Sequence, residues 1–528
     1  MPLLADYADS LLTKLATSET PGCALAIVDR GEVVHARGYG LADLEQRVSI
    51  TPTTQFHLAS TSKQFTAMCV ALLAAEGKLA LDDDVRAYVP ELPAYERAIT
   101  IRHLVHHTSG LRECLTLWAI TGRDMMRLEP HQDVLDILAR QRGLNFAPGE
   151  EYEYNNSNYF LLALIVERVS GQALDVFMEE RIFAPLGMHT SAFHDDFSAN
   201  VGRRAYGYVS TADGYTRAPE GIGARGSAGV FSTVEDLARW DQNFYQPIVG
   251  DAATSAQLLT PGRIASGRPI HYAFGVFVQN YAGFLVASHA GMFAGFSAQL
   301  IRFPEQQFSV ICLANNPAIN LSAIAFQIAE QQFNRSLRTQ YATAGKQLNA
   351  DPHAFTGTFH DPRSGRICDV FVEGGGLVAQ LKDERFSLIA ISTNQFQIAG
   401  ALDPIAITFE SAGDSTPLTM HLIVEGEAAT TFVTVARTSP TPDQLEAFAG
   451  SYFSEELDIT FEFFRQDDQL IFVGLNLPLE PTLQDCFRSD LDMHFEFFRY
   501  ASDLIAGFTF FCGGANHIRF ARIENARA

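Results

Sequence analysis

Lysine is the scarcest charged residue of this 528-residue sequence, with five copies at positions 14, 63, 78, 346 and 382. Lys and Arg together number 38 against 61 Asp and Glu, so the net charge is −23. A surface of this sign repels phosphate backbones and anionic lipids. The composition therefore argues against nucleic acid and membrane as partners, and it favours a neutral or cationic small-molecule or short-peptide substrate.

Other features are missing as well. The longest apolar stretches, such as 65–75, are shorter than the roughly 20 residues that a membrane helix needs. The N-terminus has no basic segment leading into an apolar one, so we expect no secretion signal and a cytoplasmic enzyme. The seven cysteines are scattered, odd in number and without a CxxC pair, which favours reduced thiols over a disulfide framework.

Cofactor motifs are also absent. The sequence contains no His-Glu-x-x-His, no phosphate-binding glycine loop and no Gly-x-Ser-x-Gly elbow. His103, His106 and His107 cluster, but no carboxylate or Cys spacing completes a zinc site around them. We therefore expect neither a metal nor another cofactor.

The first 335 residues alternate between helical and strand patterns, within a chain long enough for about two to four domains. Strands are predicted at 23–29, 33–38 and within 299–315, and helices at 63–76, 160–170 and 323–333. Residues 1–335 are therefore predicted to form a mixed α/β (α+β) domain with an antiparallel sheet flanked by helices.

After about residue 335 the pattern changes to short alternating segments separated by turn-like clusters such as 373–376. Phe355-Thr-Gly-Thr-Phe359 is echoed 93 residues later by Phe448-Ala-Gly-Ser-Tyr452. This echo indicates two small antiparallel β-barrel domains, 336–439 and 440–528, with a linker near 438–443. The alternative is a coincidence of five residues.

The strongest chemical signal is Ser60-Thr61-Ser62-Lys63, since no other lysine has a serine three positions before it. The motif stands where the apolar helix 63–76 begins. Ser60 would then lie at the positive end of the helix dipole, with Lys63 one turn later on the same face. A buried lysine kept partly neutral by desolvation can take the serine proton, so the pair predicts an activated nucleophile. The alternative is an N-capping serine with a surface lysine.

Two more motifs follow in order. Tyr154-Asn155-Asn156 is the one place where a tyrosine is followed two residues later by asparagine, and His289-Ala290-Gly291 is the one His-x-Gly. Each alone is weak, because the tyrosine could be an ordinary buried aromatic and the histidine a loop residue. Their order after Ser-x-x-Lys is what gives them meaning.

This three-motif order resembles the serine β-lactamase-like and penicillin-binding proteins, in particular the branch of class C β-lactamases and D-stereospecific peptidases. Further segments of 1–335 look like structural signatures of that family, in its order: 107–111, 146–150, 182–188, 229–233 and 272–275. The whole chain, with its two predicted barrels, is most similar to the D-aminopeptidases of the family. The resemblance implies the β-lactamase/transpeptidase-like fold in the first domain.

The resemblance also implies roles for the site. Ser60 would attack the carbonyl, and the amides of Ser60 and Met292 would hold the oxyanion. Lys63 and Tyr154 would share the proton transfers, with the primary base left open between them. A protonatable His289 and a nearby ammonium would lower the pKa of Tyr154 from its reference near 10.

The remaining implied site residues concern orientation and binding. Asn156 would orient Lys63 and the substrate amide, and Gly291 would line the substrate strand. In D-aminopeptidases a loop of the last barrel selects substrates with a free amino terminus. The matching segment here is 474–484, in which Glu480 could pair with an ammonium; the alternative is a solvated acid in a barrel loop. Histidine in place of the lysine usual in the third motif of β-lactamases argues against recognition of a substrate carboxylate.

These observations leave several functions open. The first is a D-stereospecific aminopeptidase or amidohydrolase acting on peptides, amides or esters through an acyl-enzyme. The alternative is a broad-specificity carboxylesterase on the same domain. A D,D-peptidase, a β-lactamase and a non-catalytic binding protein are further alternatives, and a homodimer is left open.

Overall fold

The computed structural model describes residues 2–123, 132–193, 204–219, 225–281, 283–334, 351–381, 384–398, 405–410, 418–424, 429–491 and 493–523. The chain forms two compact units. The first comprises Met1–Ser109, Asp124–Leu135 and Pro148–Arg338, and the second comprises Gly110–Arg123, Asp136–Ala147 and Thr339–Ala528. The sequence patterns did not indicate that 110–123 and 136–147 belong with the C-terminal part of the chain.

The helices of the described residues are mostly short. None of them combines the length and the apolar character needed to cross a membrane. Their bounds are α1 Pro2–Leu12, α2 Lys63–Ala75, α3 Ile101–Val105, α4 Cys114–Ile120, α5 Gln132–Ala139, α6 Asn156–Ser170, α7 Leu174–Met178, α8 Ala184–Leu186, α9 Val234–Gln242, α10 Ala252–Leu258, α11 Leu321–Phe333 and α12 Pro442–Glu446.

The first unit is built on a six-stranded antiparallel sheet with strand order β10-β11-β12-β13-β1-β2. The unit also contains short two- and three-stranded sheets. The strands of this unit are β1 Cys23–Asp29, β2 Glu32–Tyr39, β3 Leu41–Asp43, β4 Val48–Ser49, β5 Phe56–His57, β6 Ala192–Phe193, β7 Tyr208–Thr211, β8 Gly214–Arg217, β9 Val230–Ser232, β10 Phe277–Tyr281, β11 Phe284–Phe293, β12 Phe296–Phe303 and β13 Phe308–Ala314.

Helix packing explains the apolar runs of this unit. Leu4 and Leu12 of α1 and Ile324 and Ile328 of α11 are buried in one cluster with side chains of the central sheet. Helix α2 is buried along residues 63–73, which accounts for its lack of a polar face. Because this helix is buried from its first turn, its first residue, Lys63, lies in the protein interior.

The second unit contains two closed antiparallel barrels of eight strands each. The echo found in the sequence marks equivalent positions, because β14 begins at Gly357 and β22 begins at Gly450. The first barrel is formed by β14 Gly357–His360, β15 Ile367–Glu373, β16 Gly376–Leu381, β17 Glu384–Ala390, β18 Gln395–Ile398, β19 Ile405–Glu410, β20 Thr419–Val424 and β21 Thr430–Val435. The second is formed by β22 Gly450–Ser454, β23 Ile459–Gln466, β24 Gln469–Phe472, β25 Leu477–Pro481, β26 Cys486–Arg488, β27 Met493–Arg499, β28 Ile505–Cys512 and β29 Ala515–Arg522. The predicted fold class, an α/β catalytic domain followed by two small barrels, is confirmed.

One prediction about the second barrel is wrong. Residues 474–484 were expected to form a projecting loop, but 477–481 are strand β25, which pairs with β24 and β26. The physical reason is alternation: Leu479 is buried in the barrel, while its neighbour Glu480 is exposed on the outer face. Residues 477–481 therefore satisfy their backbone within the barrel, and the turns 474–476 and 482–484 flank this strand.

Candidate active site

Ser60 lies in a 3₁₀ turn, Ala59–Ser62, that leads directly into α2. The residue before it, Ala59, has φ of +47°, a left-handed conformation that is uncommon for a residue with a side chain. The turn is held from both sides, since the Ala59 amide donates to His57 Nδ1 at 3.2 Å and the Leu58 amide donates to the Val230 carbonyl at 2.9 Å. Backbone strain of this kind persists where the surroundings over-determine it, and such positions cluster at functional sites.

Lys63 is fully buried, and its ammonium group is surrounded by three oxygens. Nζ lies 2.9 Å from Asn156 Oδ1, 2.9 Å from the Ser227 carbonyl oxygen and 3.1 Å from Ser60 Oγ. The first two oxygens can only accept, so two N–H groups of Lys63 must point at them. The remaining position on Nζ faces Ser60, and it holds a proton in the ammonium form and a lone pair in the amine form. One proton thus decides whether Lys63 donates to Ser60 or accepts from it.

Tyr154 and Asn156 stand at the start of α6. Asn155 caps this helix, because its side chain accepts from the Ser157 amide at 2.8 Å. The cap places Asn156 in the first turn with its side chain on Lys63, and it leaves Tyr154 just outside the helix. The centre of the Tyr154 ring lies 4.8 Å from Lys63 Nζ and 6.0 Å from the centre of the His289 imidazole. The fold therefore brings the first two predicted motifs into contact and the third next to them.

His289 lies on β11 and is buried. Burial, together with the charge of Lys63, lowers its pKa to about 3. The imidazole is therefore neutral near pH 7, with Nδ1–H donating to the Ala290 carbonyl at 2.6 Å and Nε2 accepting from the Tyr272 hydroxyl at 3.1 Å. The expectation that a protonated His289 lowers the pKa of Tyr154 is wrong, because the protein interior does not sustain this charge beside Lys63.

Gly291 allows β11 to approach the nucleophile turn. A Cβ atom at this position would lie 2.2 Å from the Leu58 carbonyl oxygen and 3.0 Å from the Ser60 nitrogen. Only glycine permits this proximity, so the strand that continues to Met292 runs directly beside Ser60. The Met292 side chain is 70% exposed at the edge of the site.

A cavity of about 730 Å³ opens over these groups. Ser60, Tyr154 and His289 line its base, and no Asp, Glu, Lys or Arg appears among the described residues around it. The other walls are mainly apolar or neutral: Phe277, Ala290, Gly291, Met292, Ser297, Ala298, Gln299, Pro317, Ala318, Ile319, Asn320, Leu321 and Ser322. A cavity of this chemistry suits an uncharged or apolar acyl group.

Glu480, the predicted acid for a substrate ammonium, belongs to the second unit. Its carboxylate accepts from Arg437 Nη1 at 3.0 Å and from Arg488 Nε at 2.7 Å. Both partners belong to the same unit as Glu480, so this carboxylate already has two counter-charges. The pairing favours the structural role that the sequence left as the alternative.

Several residues of the site were not indicated by the sequence. The carbonyl of Ser227 accepts from Lys63, His57 accepts from the backbone of the nucleophile turn, and Tyr272 donates to His289. His107 was interpreted as part of a structural turn, yet its ring centre lies 4.5 Å from that of Tyr154. Ser227, Tyr272 and His107 lie far in sequence from the residues they contact, so no short motif could have identified them. His57 is only two residues from Ala59, but its role depends on the left-handed turn at Ala59, which the sequence did not indicate.

A serine and a buried lysine at the start of the central helix, beside an antiparallel sheet, are the arrangement of an active-site serine hydrolase. The chain belongs to the beta-lactamase family, whose sequence model, described as "Beta-lactamase", matches residues 8–326. The predicted family and the predicted enzyme class are thereby confirmed.

Individual relatives extend this result. The chain is 33% identical over 311 residues to "Penicillin-binding protein 4*" of Bacillus subtilis, covering 56% of this chain and 68% of that protein. It is 31% identical over 362 residues to "D-aminopeptidase" of Cereibacter sphaeroides, covering 68% of this chain and 67% of that protein. Among solved structures, the octameric penicillin-binding protein homologue of Pyrococcus abyssi superposes with a TM-score of 0.57 at 21% identity, over 82% of this chain and 99% of that one. At this identity the structural likeness shows the fold.

Proposed function

We propose that Ser60 is the acylated nucleophile of a D-stereospecific aminopeptidase or amidohydrolase, which releases N-terminal D-residues from peptides, amides or esters. The observation that supports the nucleophile most directly is the 3.1 Å contact between Ser60 Oγ and a fully buried Lys63 Nζ. The contact places an amine within proton-transfer distance of the hydroxyl.

In the proposed mechanism, Lys63 in its amine form takes the hydroxyl proton while Ser60 Oγ bonds to the substrate carbonyl carbon. The amides of Ser60 and Met292 stabilise the oxyanion. Collapse of the tetrahedral intermediate breaks the bond to the leaving amine or alcohol, which receives a proton through Tyr154 from Lys63. Water then attacks the acyl-enzyme by the reverse proton path and restores Ser60.

The side chains of Asn156 and His289 and the backbone carbonyl of Ser227 orient the groups that transfer protons. Asn156 and the Ser227 carbonyl fix two of the positions on Lys63 Nζ, so that the third faces Ser60 throughout the cycle. His289, neutral and bonded through both ring nitrogens, acts by positioning and not by charge. A pocket with a neutral histidine at this point offers little to a substrate carboxylate, which disfavours β-lactams as substrates.

The stereochemical part of the proposal is supported by the relatives named D-aminopeptidase, at about 30% identity over two thirds of their length. The cavity chemistry favours a second candidate. Its described walls contain no carboxylate to pair with a substrate ammonium, and this observation supports a carboxylesterase or amidase for neutral acyl groups.

A panel of chromogenic substrates separates the two candidates. D-alanine p-nitroanilide, its L-enantiomer and p-nitrophenyl butyrate are compared by kcat/KM, with Ser60→Ala as the blank. The aminopeptidase proposal expects the D-anilide to be cleaved well above the L-anilide. Equal rates for both enantiomers combined with fast butyrate hydrolysis would refute it in favour of the esterase.

Two features of the protein's setting are also proposals. We infer that the protein self-associates, with a homodimer as one possible form, and the octameric penicillin-binding protein homologue of Pyrococcus abyssi supports this. Sedimentation velocity measures it directly. We also infer a reducing compartment such as the cytoplasm, since no disulfide joins the seven cysteines.

A further inference from the structure

His107 lies two residues after the end of α3, is fully buried and has a φ of +57°. Its backbone carbonyl accepts from the Glu153 amide at 3.0 Å. Its Nδ1 atom lies 3.1 Å from the Asn155 amide nitrogen and 3.0 Å from Asn158 Nδ2. His107 thus contacts the chain immediately before and immediately after Tyr154.

These contacts determine the protonation of the imidazole. A backbone amide can only donate, so Nδ1 must present its lone pair to Asn155. The Asn158 side chain agrees with this, since its Oδ1 accepts from the Ser109 hydroxyl at 2.5 Å and its Nδ2 therefore faces His107. The ring is neutral with its hydrogen on Nε2. Burial, and the positive charge of Lys63, lower the pKa of His107 well below 6.5 and preserve this state.

We propose that His107 is a positioning residue for Tyr154: it binds both peptide neighbours of the tyrosine and packs its imidazole against the phenol ring, and so fixes the phenol beside Lys63 and Ser60. The ring centres of His107 and Tyr154 are 4.5 Å apart at an interplanar angle of 38°. This role rests on the proposed function of Tyr154 and deepens it, and it gives a specific purpose to a turn that sequence patterns presented as structural.

The contact chain explains why the effect would reach the reaction. Tyr154 lies outside α6, so its position depends on the backbone at 153 and 155 and not on helical hydrogen bonds. Without the acceptor at His107, the Asn155 amide loses its hydrogen bond to Nδ1, and the backbone beside Tyr154 is held less firmly. Misplacement of a proton-transfer group by about 1 Å can cost up to about 100-fold in rate.

Two substitutions isolate the acceptor. Asn and Gly both tolerate φ near +57°, but only Asn retains an acceptor, Oδ1, at the place of imidazole Nδ1. His107→Asn is therefore compared with His107→Gly, and the exposed His189→Gly serves as the matched control. The readout is the rate at which a fluorophosphonate labels Ser60, with thermal unfolding measured in parallel. We expect His107→Gly to be slowed about 10- to 100-fold and His107→Asn to remain within about fivefold of wild type.

Chemical rescue distinguishes positioning from a general loss of structure. Imidazole added to His107→Gly should occupy the vacated space and accept the hydrogen bond from the Asn155 amide. It should raise the labelling rate of this variant at least about tenfold. The labelling rates of wild type and His189→Gly should not change. Equal labelling rates for the Asn and Gly variants, or no rescue in a Gly variant that melts like wild type, would overturn the proposal. If His107→Asn and His107→Gly both unfold, imidazole should still restore the labelling rate and the melting curve of His107→Gly. If it restores neither, the proposal is also overturned. Absence of labelling in wild type would instead overturn the function proposed for Ser60.

Discussion

Substitution of Gly291 by alanine perturbs the site at its tightest backbone contact. The new Cβ would lie 2.2 Å from the Leu58 carbonyl oxygen, whereas carbon–oxygen contacts in proteins are about 3.3 Å or longer. Strand β11 must therefore retreat from the nucleophile turn by about 1 Å. The other near atoms are the Ser60 nitrogen and Ala59 Cβ, both at 3.0 Å, and none of the three can move by side-chain rotation.

The retreat widens the space between the amides of Ser60 and Met292, which are proposed to hold the oxyanion. Because a donor displaced by this amount no longer reaches the developing charge, kcat/KM should fall about 100-fold. Overpacking at the same place should lower the free energy of unfolding by about 1–3 kcal/mol. Steady-state hydrolysis of a p-nitrophenyl ester and urea unfolding measure the two effects.

Gly376→Ala is the matched control, since the nearest atom to its new Cβ would be the Glu373 carbonyl oxygen at 3.9 Å. Its activity should be that of wild type. If the kcat/KM of Gly291→Ala lies within about twofold of the control, the amides of Ser60 and Met292 do not depend on this close contact, and their proposed role is wrong.

Three further outcomes are expected. Lys63→Met should slow Ser60 acylation by about 10²–10⁴-fold, because it removes the proton acceptor, whereas the exposed Lys78→Met should not; equal rates would contradict the role of Lys63. Arg112→Met should lower the free energy of unfolding by about 3–5 kcal/mol, because it removes the counter-charge of the buried Glu456 carboxylate. If urea unfolding shows that adding Glu456→Gln to this variant restores none of the lost stability, the ion pair is not the cause. Burial, with a further contribution from Lys63, lowers the pKa of His289 to about 3 in the folded protein. The unfolded chain therefore binds this proton first as pH falls below about 6.5, and His289 should lower the free energy of unfolding by up to about 1.4 kcal/mol per pH unit. A Tm that is constant from about pH 7.5 to about pH 5 would contradict this.

The features of the fold and the site that could be predicted from sequence are those that depend on neighbouring residues. Ser60 and Lys63 stand one turn apart at the start of an apolar helix, and their relative position follows from helix geometry. The two barrels were visible as an echo of 93 residues because each begins with the same turn and strand, at Gly357 and Gly450. Periodicity and repetition are properties of neighbouring residues, so no tertiary information was needed.

What could not be predicted depends on partners remote in sequence. Whether His289 is charged depends on its burial and on Lys63, 226 positions earlier, and the motif alone suggested the wrong state. The role of His107 is visible only once the Asn155 amide is seen on its ring nitrogen. Glu480 was assigned to a loop by resemblance, although Leu477 and Leu479 before it alternate with exposed residues as in a strand.

Ser60 is proposed to form the covalent acyl intermediate of the reaction. Intact-protein mass spectrometry after rapid mixing with an activated ester, followed by peptide mapping, tests it directly. We expect one acyl group on the peptide that contains Ser60 and none on a Ser60→Ala variant of unchanged Tm. An adduct on another residue, or an equal adduct on the alanine variant, would contradict it.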